Sequence, residues 1–143
     1  MSLSEILQSA YLFKTFTPEE ISQLEPILKP LKIEAHQMIF MENDEASALF
    51  LVESGKVRIT KSNESVEVAI VGQGGIFGEL AYLDGGQRSA SAHALEETHL
   101  LKISYTRLAQ VLLNNQDLAI KFYGVLAKQI AKNLRNTTDG LKK

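Results

Sequence analysis

Apolar residues recur along this chain with two different periods, and the changes between them divide it into three stretches. Up to about residue 29 the spacing is helical, with Leu3, Ile6, Leu7, Ala10 and Tyr11 falling on one face. Thr17-Pro18-Glu19-Glu20 predicts a second helix start, with Thr17 as N-cap, Pro18 in the first turn and Glu20 reaching back to close a capping box. Pro26 and Pro30 break that pattern. From Leu31 the period becomes two: Leu31, Ile33 and Ala35 alternate with polar neighbours, Met38 to Met41 form a short apolar run, and Asn43-Asp44 punctuates. Ala48 to Glu53 and Lys56 to Lys61 flank Ser54-Gly55, which predicts a hairpin, and Ser62 to Ser65 predicts a further turn before Val66, Val68 and Ile70. Two more strands follow over 88–94 and 98–103. Helical spacing then returns. Ser104 is expected to cap a helix over 105–114 and Asp117 to open a longer one reaching at least Asn136. On that helix Tyr123, Leu126, Ile130, Leu134, Thr137 and Leu141 form one apolar seam, which can close over the strands or pair with its own copy.

About eight short strands at close intervals, bracketed by helices, predict a mainly β fold: an eight-stranded antiparallel jelly roll with N-terminal helices and two C-terminal helices. A chain of 143 residues with no linker or repeat is expected to be one domain over 1–143, helical to about 29, a β-roll over about 30–103 and C-terminal helices over about 104–138. Composition narrows the chemistry. With no cysteine there can be no disulfide framework, thiolate metal site or cysteine nucleophile, and a cytoplasmic location is expected. The net charge of −2 gives no general attraction for nucleic acid or anionic membrane, and the longest apolar run, Ala48 to Val52, is far too short to span a bilayer.

The informative stretch is Phe77 to Ala94, FGELAYLDGGQRSASAHA. Gly78 permits close backbone approach, and Leu80 to Leu83 can form a single helical turn whose free N–H groups face an anion. After the loop Asp84 to Gln87, Arg88 can return beside that turn and hold a phosphate through paired hydrogen bonds. Glu79 would repel a phosphate, so its natural partner is a sugar hydroxyl. The ligand described is one compact anionic group with at least one hydroxyl, which fits a nucleotide.

Phe77-Gly78-Glu79-Leu80-Ala81, a short loop and Arg88-Ser89-Ala90 resemble the phosphate-binding cassette of cyclic nucleotide-binding domains. Leu12-Phe13, Glu19-Glu20 and Ala48 to Ile59 also sit where that family's pattern has such residues, so the resemblance covers nearly the whole chain. It implies that Arg88 and Ser89, with Gly78, Leu80 and Ala81, take the cyclic phosphate and that Glu79 takes the ribose 2′-hydroxyl. In bacterial catabolite activator proteins a Thr-Ser pair on the long helix contacts adenine, which implies a base contact for Thr137 and Thr138. Ile59 and Val68, inward-facing by alternation, are candidates to line the base or sugar pocket. The chain departs from the family in having His36-Gln37 and Asn43-Asp44 where glycines are usual, Gln87 where many eukaryotic members have proline, and Tyr82 in place of an aliphatic. Asparagine tolerates a left-handed backbone, so the Asn43 departure is mild, and the changes at Gln87 and Tyr82 remove no ligand contact that the resemblance implies.

Other chemistries lack their residues. The glycines at 72, 74, 75 and 78 miss the dinucleotide fingerprint, and His36, His93 and His99 lack metal-ligand spacing. Lys128, Lys132 and Arg135 are expected to complement the helix dipole. The expectation is a cyclic-nucleotide receptor module for cAMP in preference to cGMP, with no catalysis, no metal and no cofactor. It would touch neither nucleic acid nor membrane and could form a homodimer through the last helix. The alternative is a ligand-independent dimerisation or interaction module of the same fold.

Overall fold

The computed structural model describes Leu7, Ala10 and residues 13–141, with side chains as far as residue 135. Most of the predicted first helix lies outside these residues, though Leu7 and Ala10 are both fully buried. The next helix, α1 (Pro18–Leu24), starts as its sequence dictates. The Thr17 hydroxyl accepts from Glu20 N at 3.2 Å and Glu20 Oε1 accepts from Thr17 N at 2.9 Å, a complete capping box. A short 3-10 turn, Glu25–Ile27, leads into the strands.

Eight strands follow: β1 (Leu28–Ile33), β2 (Met38–Phe40), β3 (Ala48–Ser54), β4 (Val57–Lys61), β5 (Val66–Val71), β6 (Ile76–Phe77), β7 (Ser91–Ala94) and β8 (Thr98–Ser104). They form two four-stranded antiparallel sheets in the orders β1-β8-β3-β6 and β2-β7-β4-β5, bearing out the predicted jelly roll. β1 begins earlier than expected and includes Pro30, tolerated because β1 is the edge of its sheet and pairs only with β8. The hairpin predicted at Ser54-Gly55 does not form. β3 pairs with β8 and β6, whereas β4 pairs with β5 and β7, so the chain crosses between sheets there. Gly55, at φ 100°, makes the crossing against Thr98, whose Oγ1 would lie 2.4 Å from any Cβ. The hairpin in this region joins β4 to β5 through Ser62, Asn63 and Glu64, all with positive φ.

The short cassette helix α2 (Leu80–Asp84) lies between β6 and β7, and the helices α3 (Tyr105–Leu113) and α4 (Gln116–Leu141) follow β8. The Ser104 hydroxyl caps α3 as predicted, accepting from Arg107 N at 3.4 Å. Asp117 does not open α4. Asn115 does, its Oδ1 accepting from Leu118 N at 3.1 Å.

Three layers result. Phe50, Val52, Val57, Phe77, Ala92 and Leu100 fill the space between the sheets, while Leu49, Leu51, Leu101 and Ile103 face the helices. Ala48 to Val52 is an unbroken apolar run because β3 buries both its faces. From α4 the residues buried in the helical layer are Leu118, Phe122 and Leu126. The predicted seam is thereby corrected: Leu126 enters the core, but Tyr123 and Leu134 are 42% and 66% exposed. The register is set by the aromatic ring of Phe122, which packs on Phe13 at 6.5 Å.

Candidate functional site

Glycine conformation fixes both ends of the cassette. Gly78 sits at φ 83°, and a Cβ there would come within 2.8 Å of Arg88 Nη1. Gly85, at φ 70°, ends α2 and donates to Ala81 O at 3.0 Å. Gly86 N then bonds Asp84 Oδ1 at 2.8 Å and turns the loop back. Arg88 arrives between two backbone bonds to the β2–β3 turn: it donates to Asp44 O at 2.8 Å and accepts from Asn43 N at 2.8 Å. His36 and Asn43, standing where the family pattern has glycine, both adopt positive φ, 68° and 75°.

Arg88 is 6% exposed and its guanidinium is held from several sides. Nη2 donates to Ala48 O at 2.7 Å, and Nη1 donates to Gly78 O and to the Tyr105 hydroxyl, both at 3.1 Å. The Tyr105 hydroxyl in turn donates to Gly78 O. The Phe40 ring lies 4.0 Å beneath the guanidinium carbon, a cation–π contact. A guanidinium has five N–H groups, and three are used in this way. Arg88 Nε is buried without a partner. Burial lowers the Arg88 pKa, opposed by Tyr105, Asp44 and Glu79. Glu79 carries the complementary orphan: its Oε2 is buried with no donor. Burial raises the Glu79 carboxyl above its ordinary range, against a backbone hydrogen bond and the Arg88 charge.

Both residues line one cavity of about 550 Å³. Gly78, Leu80, Ala81, Ser89, Ile59 and Val68 line it too, so the sequence-predicted cassette and both strand candidates share a single hollow. Ser89 is exposed on its wall, and Val68 is 52% exposed at its margin. Thr137 and Thr138 fall on the α4 backbone, but their side chains lie outside the described residues. Gln129 and Asn133 of α4 reach the cavity and were not anticipated. A signal existed: the buried positions 118, 122 and 126 continue at helical spacing to 129 and 133. Phe40, Tyr105 and the Ala48 carbonyl were also missed, being distant in sequence from Arg88.

Three tyrosines connect this site to the C-terminal helices. The Tyr105 ring packs on Tyr82 of α2 at 5.1 Å. Tyr82 stacks on Tyr123 of α4 at 6.3 Å with 4° between planes, and their hydroxyls are 2.8 Å apart. Burial first, then the Tyr123 hydroxyl, raises the Tyr82 pKa. Among the described residues no group of three His, Asp or Glu side chains is placed to hold a metal, and no helix is long and apolar enough to cross a membrane.

Comparison with known proteins agrees with this geometry. A family model described as a cyclic nucleotide-binding domain matches residues 30–115. The cyclic AMP receptor protein of Thermus thermophilus is 36% identical over 100 residues, covering 68% of this chain but only 46% of that protein. The solved catabolite activator protein of Thermus thermophilus superposes with a TM-score of 0.81 at 31% identity, over 93% of this chain and 62% of the other. The regulatory domain of Toxoplasma gondii PKA, crystallised with cAMP, gives a TM-score of 0.70 at 26% identity, over 76% of this chain and 42% of that one. The chain thus spans about half the length of these relatives.

Proposed function

This chain belongs to the cyclic nucleotide-binding domain family, and from that premise we propose that it is a receptor for cyclic nucleotide, for cAMP over cGMP, acting without catalysis, metal or cofactor. The observation that carries the reading is that the two residues lining this one cavity with a buried orphan each are a cation and an acid, Arg88 with an unpartnered donor at Nε and Glu79 with an unpartnered acceptor at Oε2. A site with an unpaired cation edge and an unpaired carboxylate oxygen is completed by a ligand with one anionic group and one hydroxyl. The cyclic phosphate meets the remaining Arg88 donors, the Ser89 hydroxyl and the backbone around Gly78, Leu80 and Ala81, while the ribose 2′-hydroxyl donates to Glu79. Ile59 and Val68 supply apolar wall, and about 550 Å³ is within the ordinary range for a small-molecule site. The preference for cAMP is supported by the Arg88-Ser89-Ala90 order and by relatives whose names and structures carry cAMP.

Occupancy is read through α4. A ligand shifts a conformational equilibrium only through differential affinity, so the reporting element must meet the ligand or its cassette. α4 does both, lining the cavity with Gln129 and Asn133 and pairing Tyr123 with Tyr82 of the cassette. The exposed Tyr123 and Leu134 also support pairing of α4 with a second copy. The proposed setting is the cytoplasm, with residues 1–143 themselves touching neither nucleic acid nor membrane.

The test is thermal unfolding with cAMP, cGMP, AMP and a cyclic dinucleotide, with Arg88→Ala as control. At a hundredfold excess over Kd, cAMP adds about 2.7 kcal/mol to the native state. Arg88→Ala costs about 2 to 5 kcal/mol of binding. An Arg88→Ala protein that binds cAMP like the wild type would refute the assignment.

A further inference from the structure

Arg88 is anchored by the protein itself, and one of its anchors is a side chain set behind the cavity wall. Two backbone carbonyls, Gly78 O and Ala48 O, accept from Nη1 and Nη2. The third anchor is the Tyr105 hydroxyl, which accepts from Nη1 at 3.1 Å and donates its own proton to Gly78 O. Burial, the larger effect, raises the Tyr105 phenol above its ordinary range against the Arg88 charge, so the hydroxyl keeps that proton. Tyr105 is itself held in place: it is the first residue of α3, its N–H donates to Ser47 O at 2.9 Å, and its ring packs on Tyr82 at 5.1 Å. It is not among the residues that line the cavity. Both Nη1 protons and one from Nη2 are thus committed, which leaves Nε–H and one Nη2–H for a ligand.

We propose that Tyr105 is a positioning residue for the anionic group of the ligand: its hydroxyl fixes the plane of the Arg88 guanidinium and so decides which of the two exocyclic phosphate oxygens meets the remaining N–H groups. This rests on the nucleotide-receptor reading above and adds to it what aims the arginine. A long side chain has rotamer freedom to lose, and contacts within the protein that hold it in its binding geometry remove that cost from the binding step. The Phe40 ring, 4.0 Å from the guanidinium carbon, supplies a floor but no direction within the plane. Without the hydroxyl the guanidinium keeps one bond on each Nη, and Gly78 O loses its second donor. Arginine and cassette peptide then loosen together. The ring of a 3′,5′-cyclic nucleotide points its two exocyclic oxygens in different directions, so a guanidinium fixed in one plane meets them unequally and a mobile one meets them alike.

Titration calorimetry on the whole chain with cAMP, cGMP and the Sp and Rp phosphorothioates of cAMP, each with sulfur in place of one exocyclic oxygen, tests this. We expect the wild type to bind the two phosphorothioates with affinities roughly tenfold or more apart. Tyr105→Phe, which keeps the ring on Tyr82, should weaken cAMP and cGMP by the same factor, roughly tenfold, and bring the phosphorothioate affinities to within about threefold of each other. Ser104→Ala removes the cap of α3 and leaves Arg88 alone, so it should lower the unfolding temperature and keep the wild-type ratio. A wild type that binds both phosphorothioates equally, a Tyr105→Phe chain that keeps the wild-type ratio, a loss confined to cAMP, or a ratio that shifts as far in Ser104→Ala would each overturn the proposal while Arg88→Ala still weakens cAMP binding. A wild-type chain that binds none of the four would overturn the receptor reading, and the role of Tyr105 with it.

Discussion

In the role proposed for it, Glu79 would work against the fold in order to serve the ligand. Its carboxyl is raised by burial, so the folded chain binds a proton more tightly than the unfolded one, and stability falls as pH rises through the unfolded and then the folded pKa. A sugar hydroxyl in the proposed contact would donate to the ionised form, so that ligand would pull the same pKa down. Affinity is then full above the free-state pKa and declines as pH drops through the window between free and bound values. Glu79→Gln is expected to raise the unfolding temperature of the ligand-free protein at neutral pH, to weaken cAMP by about 1.5 kcal/mol, and to flatten the pH dependence of binding. A steeper pH profile in the variant would contradict the role. Glu79 and Arg88 were legible in the sequence because the cassette is local: eleven residues, Gly78 to Arg88, hold the glycine, the acid and the arginine. What fixes the guanidinium was not legible, since Ala48 and Tyr105 lie 40 and 17 residues away. Only the folded sheets bring them together.

Among the elements, α2 is short, five residues, and yet meets both the cavity and α4. Its five residues touch the cavity through Leu80 and Ala81 and touch α4 through Tyr82. Tyr123→Phe removes one hydroxyl of the Tyr82–Tyr123 pair, at a cost of about 1 kcal/mol in thermal unfolding. Hydrogen exchange along α4 with and without cAMP should then differ less than in the wild type, and an undiminished difference would mean that occupancy reaches α4 by another route. Capping residues made Thr17 and Ser104 readable, because their chemistry acts within one turn. The Ser54-Gly55 hairpin was misread for the opposite reason: a left-handed glycine suits a hairpin and a crossing between sheets equally well. The choice is made by β8, which separates β3 from β1 in one sheet while β4 joins the other. The α4 seam was misplaced because an amphipathic stripe wide enough for two uses does not say which edge faces the core.

Over the whole molecule, the beginning and end of the fold are clasped by one ion pair. Lys121 Nζ donates to Glu20 Oε1 at 2.7 Å across 101 residues, joining α1 to α4. That bond, with the Thr17 amide, holds the Glu20 carboxyl below its ordinary range. Its contribution is therefore present above the unfolded carboxylate pKa and lost as pH falls through the lowered one. Glu20→Gln should lower stability at neutral pH and soften acid unfolding, monitored by circular dichroism. At the other extreme lies β5, last in the order β2-β7-β4-β5, with Val66, Val68 and Ile70 each about half exposed. A strand that is both a cavity wall and a sheet margin is a sticky border whenever the cavity is empty. Nucleotide would then act as a solubiliser as well as a signal. Cells that run short of it would hold a receptor prone to clump, and concentrated stocks of the purified chain should keep clear longer with cAMP in the buffer.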